Sequence, residues 1–576
     1  MVTALIAGAA LAACTAQPLP VLPGNSPNGP VSSPVAPAPA QEVVLGIDRL
    51  GSGFNPHTLA DLTPVSEAVA GLLLPSAFHQ TPAGQWVLDE TLLNSVEVTG
   101  TAPFTVTYRI RRNAQWSDHT PIAAEDFGYL AEQMRTQPGV LDPAGYQLID
   151  AVVSRDGGKT AEVVFHRPYA GWRTLFRHLL PAHLLKDAPG GWSQGLDAGV
   201  PVSGGPFAMT SFEPSRGVLV LARNDRYWDT PAQVDRILFR QGSDAALVDA
   251  LRTGGVQAAL FGRPNAITES LLRDAGLKAT PVVVPRPVLA SVLLRPASQV
   301  LDDQRVRTAV AAALDRPALI ATGVASGPSA ALRADSAVLA PSAPGYQATA
   351  PVAGVPVEPD PDTVRRLLAD AGYTRGRSGW ERAGQPLRLV VAAPADREPY
   401  GTLAARVADQ LRTAGIEAQM REVDPDELFG TMLAPQPGIN EVSFRPGTAA
   451  AGPAAGIPGV DIVVLPQPVA GHPATQLASW YGCPLVAPAR LAPAPPNPAG
   501  LCDLALQPLI ERALTQDDPA GTVAPTIESA LWSRAVTIPL YQQVSLLVST
   551  SQLPDTAPGT VLEGPLDGAA RWQLRR

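Results

Sequence analysis

Two distant segments of this chain are written in the same way. Residues 234–240, VDRILFR, lead into 244–254, DAALVDALRTG; residues 387–393, LRLVVAA, lead into 400–415, YGTLAARVADQLRTAG. Each first member is short, aliphatic and β-branched. Each second member repeats its apolar residues every three or four positions and closes on Gly. A strand handing on to such a helix buries the helix stripe on a sheet face, so the chain is held to an α/β architecture with mixed sheets. Further strands fit this reading. In 104–112, FTVTYRIRR, Phe104, Val106, Tyr108 and Ile110 alternate with polar side chains, which predicts a half-buried strand. Residues 42–47, EVVLGI, and 161–170, AEVVFHRPYA, read as strands, and 203–228 reads as two strands around a turn. From 436 to 500 Pro, Ala and Gly dominate and periodicity fades, so irregular structure is expected.

With 576 residues, 45% of them hydrophobic, the chain can bury a large core and divide into two or three lobes. Its net charge of -9 supplies no basic stripe for phosphates, which argues against nucleic-acid binding. The start, MVTALIAGAALAAC, is an apolar run too short to span a bilayer, and Leu11-Ala12-Ala13-Cys14 resembles the lipobox of bacterial lipoproteins, although no Lys or Arg precedes it. Cys14 is then the expected lipidated residue, 1–14 the signal segment, and the Pro/Ala-rich 15–41 a disordered tether holding the protein on the outer face of the cell membrane. In that oxidising setting Cys483 and Cys502 read as a disulfide, with two buried free thiols as the alternative. The seven His residues are scattered and no His/Cys cluster has ligand spacing, so neither a metal nor any other cofactor is expected.

Residues 115–127, QWSDHTPIAAEDF, gather Trp, Asp-His and Glu-Asp like the pieces of an active site. Nothing nearby offers a nucleophile for Asp118 and His119, and Glu125 and Asp126 fall in the first turn of a helix carrying Phe127, Leu130, Ala131 and Met134, where the helix dipole favours them. The stretch therefore reads as a turn: Trp116 beneath it, Asp118 bonding nearby N–H groups, His119 at positive φ. Ser203-Gly204-Gly205-Pro206 reads as a turn as well. No nucleophile elbow, zinc-protease pair, P-loop or dinucleotide fingerprint occurs, so no enzyme activity is expected.

The run 105–130, TVTYRIRRNAQWSDHTPIAAEDFGYL, resembles the signature of the family 5 extracytoplasmic solute-binding proteins, the dipeptide, oligopeptide and nickel receptors of ABC importers. Other blocks follow in family order: His183 in Pro-Ala-His-Leu-Leu, the turn 204–207, LARNDRYW at 221–228, DQRVRTAVAAALDR at 303–316, DPDTVRRLLADAGY at 360–373, LRTAGI at 411–416 and IPLYQQ at 538–543. The resemblance spans about 42–543. It implies a class II, cluster C, periplasmic-binding-protein-like clamp, with 42–289 and 511–576 forming one lobe, 290–510 the other, and a ligand cleft between them. It also implies a monomer that binds a small molecule or peptide and passes it to an ABC permease.

Departures from the family bear on the ligand. Leu294-Arg295 replaces Phe-Asn and sets a cation near the expected cleft wall. The acidic residue that peptide receptors carry after the strand at VDIVVL, to pair with the peptide ammonium, is missing from 466–471, PQPVAG. Lipobox, tether, Arg-rich composition and this altered site together resemble the actinobacterial LpqW-type lipoproteins, a branch associated with cell-wall glycolipid assembly, so a glycolipid ligand and an envelope biosynthetic membrane protein as partner stand as the alternative. Expected cleft contacts are Arg49, Phe54, Asn55 and His57 from the first loop, Arg295 and Gln467 from the second lobe, and Trp480 with Tyr481 beside the disulfide.

Overall fold

The computed structural model describes residues 41–277, 281–350, 358–434, 459–469, 471–484, 495–516, 523–554 and 556–575. Cys14 and the tether lie outside them.

Ten strands form one mixed sheet. In chain order they are β1 (Glu42–Ile47), β2 (Phe207–Glu213), β3 (Val218–Arg223), β4 (Arg236–Gln241), β5 (Ala258–Phe261), β6 (Val282–Leu294), β7 (Arg388–Pro394), β8 (Glu417–Val423), β9 (Ile462–Pro468) and β10 (Thr537–Ser549). Across the sheet they run β8-β7-β9-β6-β10-β5-β1-β4-β3-β2. The strands expected to feed helices do so: β1 pairs in parallel with β4 and β5, and β7 in parallel with β8 and β9. Helix Asp244–Thr253 follows β4 and helix Tyr400–Thr413 follows β7, as the two repeated segments require.

The two longest strands, β6 and β10, join the halves. Their antiparallel register couples Val282–Pro285 with Val544–Leu547, breaks between Pro285 and Leu289, and resumes with Leu289 opposite Gln542. On one side of that break β10 pairs with β5; on the other β6 pairs with β9. Each half has its own core. Val43, Leu45, Ile237 and Phe239 pack with Tyr108, Trp116 and Phe127 in the first. Leu389, Val391 and Val464 pack with Leu403, Val407 and Leu411 in the second. The opposite face of β9 carries Val463 and Leu465, which bury Leu477, Ile510, Ile527 and Leu531.

That last cluster bears on two expectations. Helix Val523–Ser533 packs on the second half, whereas helix Gln507–Thr515 lies between the halves, giving Ile510 to this cluster and Leu514 to the first core. The stretch expected to be irregular holds, besides β9, the helix Pro473–Tyr481, whose Leu477, Trp480 and Tyr481 give it an apolar face to bury. Cys483 and Cys502 are joined as a disulfide.

The stretch 115–127 is a turn. Trp116 is fully buried, and its indole N–H donates to Asp126 Oδ2. Asp118 Oδ1 accepts the Thr120 N–H at 3.0 Å, Asp118 Oδ2 meets His183 Nε2 at 2.8 Å, and His119 has φ 74°. Helix Ala124–Thr136 starts from Ala123, which has no capping side chain; Asp126 compensates by accepting the Ala123 N–H and, through Oδ1, the Ala182 N–H, both at 2.9 Å. Burial lifts the Asp126 carboxyl to about 6.

Candidate functional site

The loop after β1 and the loop after β7 leave the carboxyl ends of their strands, where open α/β sheets place ligands, and here they meet across the two halves. Arg397 Nη1, from the loop after β7, donates to the Leu59 carbonyl of the first loop at 3.1 Å. Arg263 and Glu398 pair across the same seam at 3.6 Å. Burial lowers the Arg397 pKa, and Asp61 opposes that shift. Asp61, whose Oδ2 accepts the Asn55 N–H at 3.0 Å, is raised to about 6 by burial, with Asp197 and Asp426 pushing the same way. Asp197 is likewise raised to about 6, by burial and then by Asp426 and Asp424. Asp61 and Asp426 thus favour the charge on Arg397, while Arg49 opposes it.

A second polar chain crosses at the strand break. Arg286 of β6 donates to Glu67 Oε2 at 3.2 Å and to Gln543 Oε1 at 2.8 Å, while Gln543 Nε2 bonds the Tyr400 hydroxyl at 2.5 Å. It links helix Pro64–Leu73 of the first half, both central strands and helix Tyr400–Thr413 of the second.

Of the residues expected in the cleft, Arg49 is exposed and close enough to Arg397 to act on its charge. The other three of its loop turn inward. Phe54 packs edge-on against Phe212 with centroids 4.9 Å apart. Asn55, 1% exposed, donates from Nδ2 to the Trp192 carbonyl and accepts the His57 N–H on Oδ1. His57 Nε2 donates to the His178 carbonyl at 2.9 Å, its ring stacks on Trp192, and burial pulls its pKa down to about 4. These side chains brace the loop.

Arg295 is an internal tie rather than a cation on the cleft wall. It is 6% exposed and donates to the carbonyls of Leu433 (2.9 Å), Val460 (3.1 Å), Pro498 (3.2 Å) and, at the limit, Met432 (3.5 Å). Gln467 and Tyr481 are also buried and bond each other, Gln467 Nε2 donating to the Tyr481 hydroxyl and the Ala337 carbonyl. Trp480 lines a shallow open groove with Gln137, Pro143, Cys483, Pro496 and Asn497. The groove runs along the outer seam between the helix Pro473–Tyr481 and the 137–147 segment.

Missing from the expectation were Asp61, Glu67, Arg286, Arg397 and Tyr400. The signal was present in 394–400, PADREPY, a charged loop directly after a buried strand.

Residues 96–440 match the pattern of the bacterial extracellular solute-binding proteins, family 5. A Mycobacterium tuberculosis protein named as probable monoacyl phosphatidylinositol tetramannoside-binding protein LpqW is 35% identical over 98% of this chain and 95% of its own. The chain belongs to the family 5 solute-binding proteins. The Mycobacterium bovis oligopeptide-binding protein OppA is 29% identical over 54% of this chain and 53% of its own. Among solved structures, the Bacillus subtilis oligopeptide-binding protein AppA superposes with a TM-score of 0.71 at 14% identity, covering 93% of this chain and 100% of that one. The periplasmic EDTA-binding protein EppA gives 0.69 at 21%, covering 93% and 97%. The fold is therefore the two-lobe clamp of this family, and a ligand-binding role comes with it. These family 5 relatives are binding proteins by name.

Proposed function

We propose that this family 5 protein is a lipid-anchored extracytoplasmic receptor for a mannosylated phosphatidylinositol, working in envelope glycolipid assembly, with Cys14 as the anchor and 15–41 as its tether. The observation that carries the reading is the breadth of likeness to the tetramannoside-binding relative, which spans nearly the whole chain where the oligopeptide-binding relative spans about half. The seam supports it. After β9 the described residues from Pro466 to Gly471 include no carboxylate, and although Gln467, whose Nε2 is engaged by Ala337 and Tyr481, keeps a free Oε1, a neutral amide oxygen supplies no counter-charge to a peptide ammonium at this strand end.

Peptide capture for an ABC permease is the second reading. It is favoured by the likeness to the oligopeptide-binding proteins.

Titration of the full chain in detergent with monoacyl phosphatidylinositol tetramannoside, followed by tryptophan fluorescence, tests the choice. Saturable glycolipid binding without saturable binding of tri- and tetrapeptides is the expected result. Peptide binding with no glycolipid binding would overturn it.

A further inference from the structure

Asp142 is a seam carboxylate with an unused oxygen. It precedes Pro143 between helices Ala124–Thr136 and Ala144–Gln147 and holds φ 48°, a left-handed conformation that Asp tolerates better than most residues. Its neighbours are pinned to the first loop: the Leu141 N–H donates to the His57 carbonyl at 2.8 Å, and Val140 bridges Thr58. From the other half comes the turn after β9. A Cβ on Gly471 would stand 2.9 Å from Asp142 Oδ2, so the glycine lets that turn close on the carboxylate without displacing it.

Asp142 Oδ1 is shut away from solvent and has no hydrogen-bond partner. A buried acceptor left unmade is costly, and native proteins keep few of them without a reason. The surroundings are hydroxyl and amide groups. Tyr169 shares a 2.7 Å hydrogen bond with Thr475 Oγ1, which lies 3.4 Å from His472 Nδ1, and Gln476 Nε2 is 3.8 Å from the Cβ position of Gly471. The titratable groups around the carboxylate are Tyr146 and Tyr169 on its own half and His472 beside Gly471 on the other. Burial alone raises the Asp142 carboxyl, to about 7, with no cation offsetting the shift.

We propose that Asp142 is a ligand-binding residue of the seam, its free oxygen kept for a hydroxyl of a sugar headgroup. The proposal rests on the glycolipid reading and names the group that would read the sugar. A carboxyl that changes protonation near neutrality suits a polyol in either state, accepting from a hydroxyl when ionised and donating to one when protonated; an ammonium is matched only by the ionised form. Asp142 and Gly471 belong to opposite halves joined through β6 and β10, so entry of a headgroup requires the halves to part there.

The test is calorimetric titration of the full chain in detergent with the deacylated headgroup of phosphatidylinositol tetramannoside, and with tri-alanine as the ammonium-bearing probe. Asp142→Ala is expected to weaken headgroup binding by about tenfold or more, since a site built to bond a hydroxyl is left short. Gly471→Ala, which sets a methyl against Oδ2, is expected to weaken it as well and serves if Asp142→Ala fails to fold. Wild-type affinity for the headgroup should vary by less than about threefold between about pH 5.5 and about pH 8. Wild-type affinity in a folded Asp142→Ala, or in Gly471→Ala, would overturn the proposal while leaving the glycolipid reading intact, as would headgroup binding that disappears on acidification. Binding of tri-alanine but not of the headgroup by the wild type would overturn both.

Discussion

Replacing Arg295 by Met separates two accounts of the residue, internal tie and cleft cation. The guanidinium makes three good bonds, to the carbonyls of Leu433, Val460 and Pro498, and a marginal one to Met432. Met keeps much of the volume but leaves three carbonyls unpaired, those of Leu433 and Val460 buried and that of Pro498 partly so, at roughly 1–3 kcal/mol each. Against that, the wild type bears the cost of a buried charge. Burial lowers the Arg295 pKa to about 10 from 12.5, a shift worth roughly 3 kcal/mol that Met recovers. The midpoint of the lost bonds is about 6 kcal/mol, so the net loss is about 3 kcal/mol. Urea denaturation followed by circular dichroism reads it as a lower midpoint with an unchanged slope. Arg295→Lys should recover little, because one ammonium cannot reproduce the guanidinium fork. A loss below about 1 kcal/mol, together with weakened ligand binding, would refute the internal-tie account.

Three further outcomes are expected. His57 is held below its ordinary pKa, at about 4, so the stability it contributes is full above the unfolded value near 6.5 and is lost as pH falls from there through 4; urea midpoints across that range should drop less in His57→Gln than in the wild type. Replacing Cys483 and Cys502 together by Ser opens a loop with a sequence separation of 19 and should cost about 3 kcal/mol in the same assay. Asp126→Ala strands the Ala123 and Ala182 N–H groups and the Trp116 indole, and should cost about 2–4 kcal/mol, seen as a lower melting temperature.

The local grammar of the fold was legible from residues alone. Strand followed by helix at 236–253 and 388–413, the alternation of 104–110 and the turn at 115–127 each follow from spacing and turn chemistry within a dozen or so residues. The pairing of β6 with β10 was not, because it joins segments far apart in sequence whose aliphatic side chains would suit several neighbours. Helix Pro473–Tyr481 was hidden by the Pro and Ala around it; Pro473 at its first position is compatible with a helix start and does not break it. At the site, position in the chain identified the right loop but not the direction of its side chains. Phe54, Asn55 and His57 follow β1 as ligand contacts would, yet Trp192 and Phe212 draw them inward, and no local pattern announces those partners. Arg397 and Asp61 were overlooked because their meaning arises only when the two halves meet. Arg295 misled for the converse reason: a cation beside a buried strand looks like a binding group until the carbonyls that surround it are known.

The central claim is that the clamp holds a glycolipid. Native mass spectrometry of the protein purified from its own membrane tests it most directly. The account predicts a retained adduct with the mass of a mannosylated phosphatidylinositol, displaced by added glycolipid; recovery of a ladder of short peptides in its place would contradict it.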